Sequence, residues 1–278
     1  MIRRLAPVLL LVVLAGCGGS SQPGTVTIAP ARIVSLADFR PAAPAVTGKP
    51  TVVSFVIRQP DGKPMTAFKT GPGPHTGVHL IIVRRDLATM IHTHPHIAAG
   101  GKISQAMTFT EPGPYKVVVD VYPKTGVQPN FQLFGAMTVA GTYRPQPLSG
   151  ASSVVVDGYR FTMRGRPALR AIQAAAITIT VTTPTGKPAS FTPWYGALAH
   201  AIFFRRGTLD YFHTHVCGRS TTGCTSVLGS PSVPGSLSAP GTLKVGVLVP
   251  LAGTWRLFVQ CKVDGHILIA PFVLAVKP

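Results

Sequence analysis

Two segments of this sequence carry histidines at the same intervals. His79, His92 and His94 lie thirteen and two residues apart, and His200, His213 and His215 repeat that spacing 121 residues later. A neutral imidazole offers a lone pair without a charge, so three on one rigid surface make a donor set suited to Zn(II) or Cu(II), with copper(II) favoured by intrinsic affinity. His75 and His96 flank the first trio and bring five histidines into positions 75–96. Beyond the second trio, Cys217 follows His215 at the same spacing of two and could form a softer site. The competing reading is structural. A histidine near the end of a strand often satisfies backbone or hydroxyl groups across a sheet, and Thr93 and Thr214 stand beside the trios in both copies.

For these side chains to converge, they must stand on paired strands. Residues two apart on a strand point to the same face, so His92 and His94 share a face, as do His213 and His215. A hairpin of residues 79–84 and 88–94, turning near Arg85-Asp86, sets His79 opposite His92 or His94. The same pairing turns the second segment at Arg206-Gly207 and brings His200 beside His213 and His215. A slip of one residue in either register would scatter the trio over both faces. The reading that follows is one metal site per segment, the first being the stronger.

The histidine segments belong to an internal repeat. Residues 51–64, TVVSFVIRQPDGKP, answer 176–188, AITITVTTPTGKP, and residues 79–94, HLIIVRRDLATMIHTH, answer 200–215, HAIFFRRGTLDYFHTH, without a gap. Further on, EPGPYK before Val117-Val118-Val119 answers LAGTWR before Leu257-Phe258-Val259. Each unit holds about seven short alternating strands between turn signals over roughly 110–130 residues, as a Greek-key sandwich does. No segment keeps a helical period beyond about ten residues. The expectation is all-β, with two tandem immunoglobulin-like (Greek-key) β-sandwich domains over 25–140 and 151–278. A linker over 141–150, GTYRPQPLSG, interrupts the alternation where the repeat restarts. A barrel is the alternative architecture.

The phrases HLIIVRRDLATMIHTHPH and YGALAHAIFFRRGTLDYFHTH resemble a family of exported actinobacterial proteins, often lipoproteins, with tandem immunoglobulin-like β-sandwich domains. Its motif runs Gly-Ala-x-x-His, four apolar residues, Arg-x-Gly-Asp-Leu-x-Tyr-x-His-x-His-Pro. Gly196, Ala197, His200, Arg205, Leu209, Tyr211, His213 and His215 match it. The first unit keeps the histidines and Pro95 but lacks the Gly-Ala lead-in, and Val216 stands where Pro is usual. The resemblance covers most of residues 50–278 and implies the sandwich fold together with an association with heavy-metal handling.

Ahead of the repeat, Arg3 and Arg4 precede an apolar stretch too short to span a bilayer, and Leu14-Ala15-Gly16-Cys17 reads as a lipobox. Residues 1–16 are expected to be a lipoprotein signal peptide, Cys17 the lipidated residue and 17–24 a flexible tether. That makes the protein extracytoplasmic and anchored to the cell membrane by lipid. With 26 Lys and Arg against 8 Asp and Glu, the formal charge is +18, or +16 once Arg3 and Arg4 leave with the signal. Such a surface favours anionic lipid or wall polymer as partners. Nucleic acid is excluded by location and by basic residues that are scattered without interleaved aromatics. The sequence names no protein partner.

Three cysteines remain besides Cys17. A local Cys217–Cys224 disulfide around a polar loop is the leading pairing and would remove Cys217 as a ligand; Cys217–Cys261 is the competitor. Cys261 lies in an apolar strand and reads as a buried thiol. One Glu and seven scattered Asp supply no carboxylate pair for glycoside hydrolysis, and there is no Gly-x-Ser-x-Gly or Ser-x-x-Lys nucleophile, so the chain is not expected to be an enzyme. Metal binding is the leading function, with copper(II) or zinc(II) as the bound group. The alternative is a cell-envelope structural or interaction lipoprotein with a basic surface and structural histidines.

Overall fold

Short period-two runs of Val, Ile, Thr and aromatic residues, punctuated by Gly and Pro, form strands throughout. The computed structural model describes residues 33–125, 130–165, 167–218 and 235–278, and among these there is no helix. The signal and tether segments with Cys17, and Cys224, lie outside the described residues.

The first repeat forms β1 (Ser35–Arg40), β2 (Ala45–Val46), β3 (Pro50–Arg58), β4 (Val78–Arg84), β5 (Met90–Thr93), β6 (His96–Ile97), β7 (Lys102–Thr108), β8 (Gly113–Val121) and β9 (Phe131–Ala140). These make two sheets, ordered β1-β3-β7-β6 and β2-β9-β8-β4-β5. The sheets close over a core that includes Phe55, Ile57, Leu80, Ile82, Val117 and Val119.

The second repeat forms β10 (Ser153–Val156), β11 (Tyr159–Met163), β12 (Leu169–Arg170), β13 (Ala174–Thr182), β14 (Phe191–Thr192), β15 (Ala199–Arg205), β16 (Tyr211–Cys217), β17 (Gly235–Ala239), β18 (Thr242–Leu248), β19 (Gly253–Val263) and β20 (His266–Lys277). The strand orders repeat: β11-β13-β18 stands for β1-β3-β7, and β12-β20-β19-β15-β16 for β2-β9-β8-β4-β5. Besides the added β10 and β14, the second repeat differs in β17, which pairs with β16 in parallel and with β18 antiparallel, so both layers of this sandwich are joined along one side. Phe161, Ile179, Phe203, Val245, Trp255 and Phe272 belong to its core. The fold is all-β, two immunoglobulin-like sandwiches written by one repeat.

Strand β4 explains why the sandwiches are not separate beads. All seven of its residues are buried. Val78, Leu80 and Ile82 face the first core, while Ile81 and Val83 turn outward into a third apolar cluster. In β15 the pattern recurs: Ala199, Ala201 and Phe203 serve the second core, and Ile202 and Phe204 join the third. Leu87, Met90, Val118 and Phe258 complete this seam. An antiparallel sheet usually presents one face to water; here each repeat has an apolar outer face, and the two faces cover one another. Residues 33–278 form one compact unit accordingly.

Polar bonds lace the seam's edge. Arg256 Nε donates to the Leu87 carbonyl at 3.0 Å and Lys116 Nζ to the Leu209 carbonyl at 2.6 Å. The connector is tied down as well. Gln146 N donates to Asp86 Oδ2 at 2.8 Å, the same carboxylate that pairs with the buried Arg84, and Leu148 packs on the third cluster.

Cys217 at the end of β16 is disulfide-bonded, which withdraws it from metal ligation. Cys261 on β19 is a free, buried thiol pushed up to about 12 by burial, so the Cys217–Cys261 pairing does not form.

Because Phe204 is fully buried between the sandwiches, Phe204→Ala is expected to cost about 3–5 kcal/mol. Urea unfolding measures this, and a loss within about 0.5 kcal/mol, typical of surface changes, would show that the seam contributes little.

Candidate metal centre

Along the seam the outward-facing row of each central sheet changes from apolar to polar. On β4 it runs Val83, Ile81, His79, and on β15 Phe204, Ile202, His200. In the first hairpin Leu80 pairs with Thr93 and Ile81 with His92, which carries the register on to His79 beside His94. In the second, His200 pairs with His215 and Ile202 with His213. Each trio therefore shares one face, the face that packs against the other repeat.

The two expected sites are not separate places on the molecule: the trios meet across the seam in a single cluster. Within trios, ring centroids are separated by 3.9 Å for His79–His94 and 4.4 Å for His213–His215. Across the seam the separations are little longer: 4.8 Å for His92–His200, 5.2 Å for His92–His213 and 5.3 Å for His79–His213. His75, in the loop before β4, stands 4.9 Å from His215 and is the seventh member. His96 is not part of it; β6 belongs to the other sheet of the first sandwich, and its histidine is exposed. Two groups of three ring nitrogens have all their atoms within 4.8 Å of one another: His79, His92 and His213, and His200, His213 and His215. The first group draws on both repeats.

Hydrogen bonds assign the ring tautomers. His79 Nε2 donates to the Pro74 carbonyl at 2.8 Å, and His200 Nε2 donates to the Trp194 carbonyl at 2.9 Å, so Nδ1 keeps the lone pair in both. His92 Nδ1 donates to Gln260 Oε1 at 2.7 Å, leaving the lone pair on Nε2. Opposite it, His213 Nδ1 lies 4.0 Å from Asp120 Oδ2. Gln260 and Asp120 occupy equivalent positions, facing His200 on β19 and His79 on β8, and each reaches across to the other repeat's histidine. Outer partners of this kind orient metal-ligating imidazoles.

Other ring nitrogens of the cluster have no hydrogen-bond partner. His79 Nδ1, His92 Nε2, His94 Nε2, His213 Nδ1 and His215 Nε2 are buried without a hydrogen bond. His200 Nδ1 and His213 Nε2 are 3.3 Å apart. Bonds of about 2.0–2.1 Å to a tetrahedral metal set neighbouring ligand nitrogens roughly 3.3–3.4 Å apart.

Burial dominates the electrostatics. Desolvation lowers His75 to about 4, His94 to about 3 and His200 to about 4, and it holds His79, His92, His213 and His215 well below the usual value, with repulsion among the rings adding to it. At pH 7 the rings are neutral and their lone pairs available. Asp120 is raised to about 6 because its burial outweighs hydrogen bonds from Gln132, Asn130, Tyr211 and Tyr122.

A loop from each repeat covers the cluster. Tyr195 stacks on His94 at 3.9 Å, with planes 4° apart, and its hydroxyl meets that of Thr93 at 3.1 Å. The neighbouring Gly196 adopts φ +75°, and a Cβ there would lie 2.5 Å from the Pro72 carbonyl oxygen and 2.7 Å from Pro74 N. Glycine is thus required for the 194–197 turn to lie on the 72–75 loop.

Sequence spacing located the histidines but missed their partners. Asp120, Gln260, Tyr122 and Tyr195 carry no motif, and Tyr211 stands in the motif of the similar family without an assigned role. A signal for two of them existed: Asp120 and Gln260 are single polar residues inside the apolar runs VVVDV and LFVQC, at matching positions of the repeat.

Two outcomes are expected. Gly196→Ala should destabilise the chain by about 1–3 kcal/mol, the usual cost of overpacking, measurable through the fluorescence of Trp194 and Trp255 in urea. In the metal-free chain, histidines depressed in the folded state titrate near 6.5 once unfolded. Acid therefore protonates the unfolded chain first, and stability is lost as pH falls from about 6.5 through about 4. Asp120 works in the opposite sense, since its stabilisation is lost as pH rises through about 6. Seven histidines outweigh one carboxyl, so thermal scans should show Tm dropping between pH 7 and 4; a flat profile would contradict a neutral cluster.

Among solved structures, the chain is similar to invasin, a bacterial integrin-binding protein, at 16% identity over 87% of this chain and 38% of that one, with a TM-score of 0.25. It is also similar to a tetra-tandem repeat in the extending region of a large adhesion protein (11% identity, 88% of this chain, 50% of that, TM-score 0.25). A third likeness is to the fibronectin(III)-like modules of Clostridium thermocellum CbhA (11% identity, 88% and 93%, TM-score 0.22). The chain spans less than two thirds of the first two. No curated protein matches it. The family model of a domain of unknown function, DUF8832, matches residues 36–136 and again 153–278, one match on each sandwich, and the chain belongs to that family.

Proposed function

We propose that this protein binds a divalent transition metal, copper(II) or zinc(II), at the histidine cluster in its seam, and does so outside the cytoplasm on a lipid anchor at Cys17. One observation carries the metal reading: within the cluster, His79, His92, His94 and His215 each keep a buried imidazole nitrogen without a hydrogen-bond partner. For His79 and His92 the opposite nitrogen is committed, to the Pro74 carbonyl and to the Gln260 side-chain amide. A buried polar atom left unpaired costs about 1–3 kcal/mol, and histidines serving as structural hydrogen-bonders would have both nitrogens occupied. An all-nitrogen, uncharged donor set suits copper(II) or zinc(II) over calcium or magnesium, which take oxygen. Ligands from both repeats make the metal a clamp across the seam, so binding and docking of the sandwiches reinforce one another.

The location rests on the lipobox Leu14-Ala15-Gly16-Cys17 and is supported by the disulfide at Cys217, since such bonds persist mainly in oxidising compartments. The charge of the chain suits a position against anionic lipid or wall polymer.

Calorimetric titration of the full chain with copper(II) and zinc(II) tests the function, alongside a His79→Ala, His92→Ala, His94→Ala triple variant shown by circular dichroism to be folded. Saturable binding that the variant loses is expected. At metal concentrations 100-fold above Kd, the wild type should gain about 2.7 kcal/mol of stability. Absence of binding up to about millimolar metal, or equal binding by the variant, would return the histidines to a structural role.

A further inference from the structure

We infer that the seam holds two metal ions side by side, with His213 common to their surroundings; this rests on the metal reading above. The number of donors carries the inference. His79 Nδ1, His92 Nε2, His94 Nε2 and His215 Nε2 are buried and unpartnered, while His200 Nδ1 and His213 Nε2 face each other at 3.3 Å. Together these are six inward nitrogens. A tetrahedral ion takes four ligands, so a single ion would leave two of the six outside its coordination. Two ions, each taking three histidines and a further ligand such as water, use all six.

Symmetry points the same way. Each repeat supplies the same set: Nδ1 of a central-strand histidine locked by a carbonyl, and two histidines two residues apart on the neighbouring strand. The two sets are related by the packing of one repeat on the other, so a site built by one trio is matched by a site built by its copy. The compact groupings also number two, one across the seam and one within the second repeat, and His213 is in both. Its ring lies 5.3 and 5.2 Å from His79 and His92 on one side, and 5.5 and 4.4 Å from His200 and His215 on the other. Among the described residues, Asp120 is the carboxylate at this ring. Its negative charge offsets part of the repulsion that two neighbouring dications would experience.

Copper(II) provides a test that separates this inference from the function it extends. The full chain is loaded with excess copper(II), freed of unbound metal and analysed for copper per chain, and electron paramagnetic resonance is recorded at increasing loading. Two retained equivalents are expected, the first giving the spectrum of an isolated ion and the second broadening or abolishing it through coupling between neighbours. His92→Ala and His215→Ala, which weaken opposite groups, should each retain one equivalent and show the isolated spectrum at full loading. If either variant fails to fold, the wild-type stoichiometry and spectrum decide alone. One retained equivalent in the wild type overturns the pair and leaves metal binding intact, whereas none overturns both. Two equivalents with isolated spectra throughout also overturn the pair, because the second ion then sits elsewhere.

Discussion

The packing of two sheet faces against each other is the constraint on which the rest depends. An immunoglobulin-like sandwich is complete once its two inner faces meet, and its outer faces ordinarily carry charge. In this chain β4 and β15 carry apolar residues on both faces, and β8 and β19 add Val118 and Phe258 to the outer one, so neither sandwich can present that surface to water without exposing residues such as Ile81, Val83, Phe204 and Phe258. Large apolar faces of this kind are buried in a stable protein. The connector is consequently held against the seam through Gln146 and Leu148, and the repeats behave as one body.

Burial at the seam has a chemical consequence. The same alternation that sends Ile81 and Ile202 outward sends His79 and His200 outward, two residues further along each strand. The apolar part of the seam excludes water and fixes the spacing; the polar part inherits both. Rings that would be solvated and titratable on an isolated sheet become neutral, fixed in tautomer and crowded to within 4–6 Å centroid distances. Removing polar groups from water without full pairing is unfavourable, and the apolar contacts beside them supply the opposing free energy. The arrangement is one of preorganisation, in which the fold assembles the donors before a ligand arrives.

Duplication accounts for the crossed second layer. Asp120 and Gln260 descend from one position of the repeat and have diverged, one a carboxylate and the other an amide, so the two halves of the cluster share geometry and differ in charge. Gln260 satisfies His92 through a 2.7 Å bond, whereas Asp120 remains 4.0 Å from His213 and is held by Tyr122, Tyr211, Asn130 and Gln132. Each residue acts on the repeat to which it does not belong. This makes the cluster a property of the pair of sandwiches and not of either one.

Periodicity and spacing in the sequence determined the class of fold, the duplication, the hairpins and the face that each histidine shares with its trio, because these are local: side chains alternate along a strand, and a short turn sets the register. The same local rules predicted a site in each unit, and they placed His96 with the first trio when its strand belongs to a different sheet. Only the tertiary structure decided what the histidine faces pack against. Whether two faces separated by more than a hundred residues meet depends on the apolar area they jointly remove from water, a quantity that no window of sequence contains. The merger of two trios into one buried cluster, with Asp120 and Gln260 crossing between repeats, therefore appears only when the chain is folded.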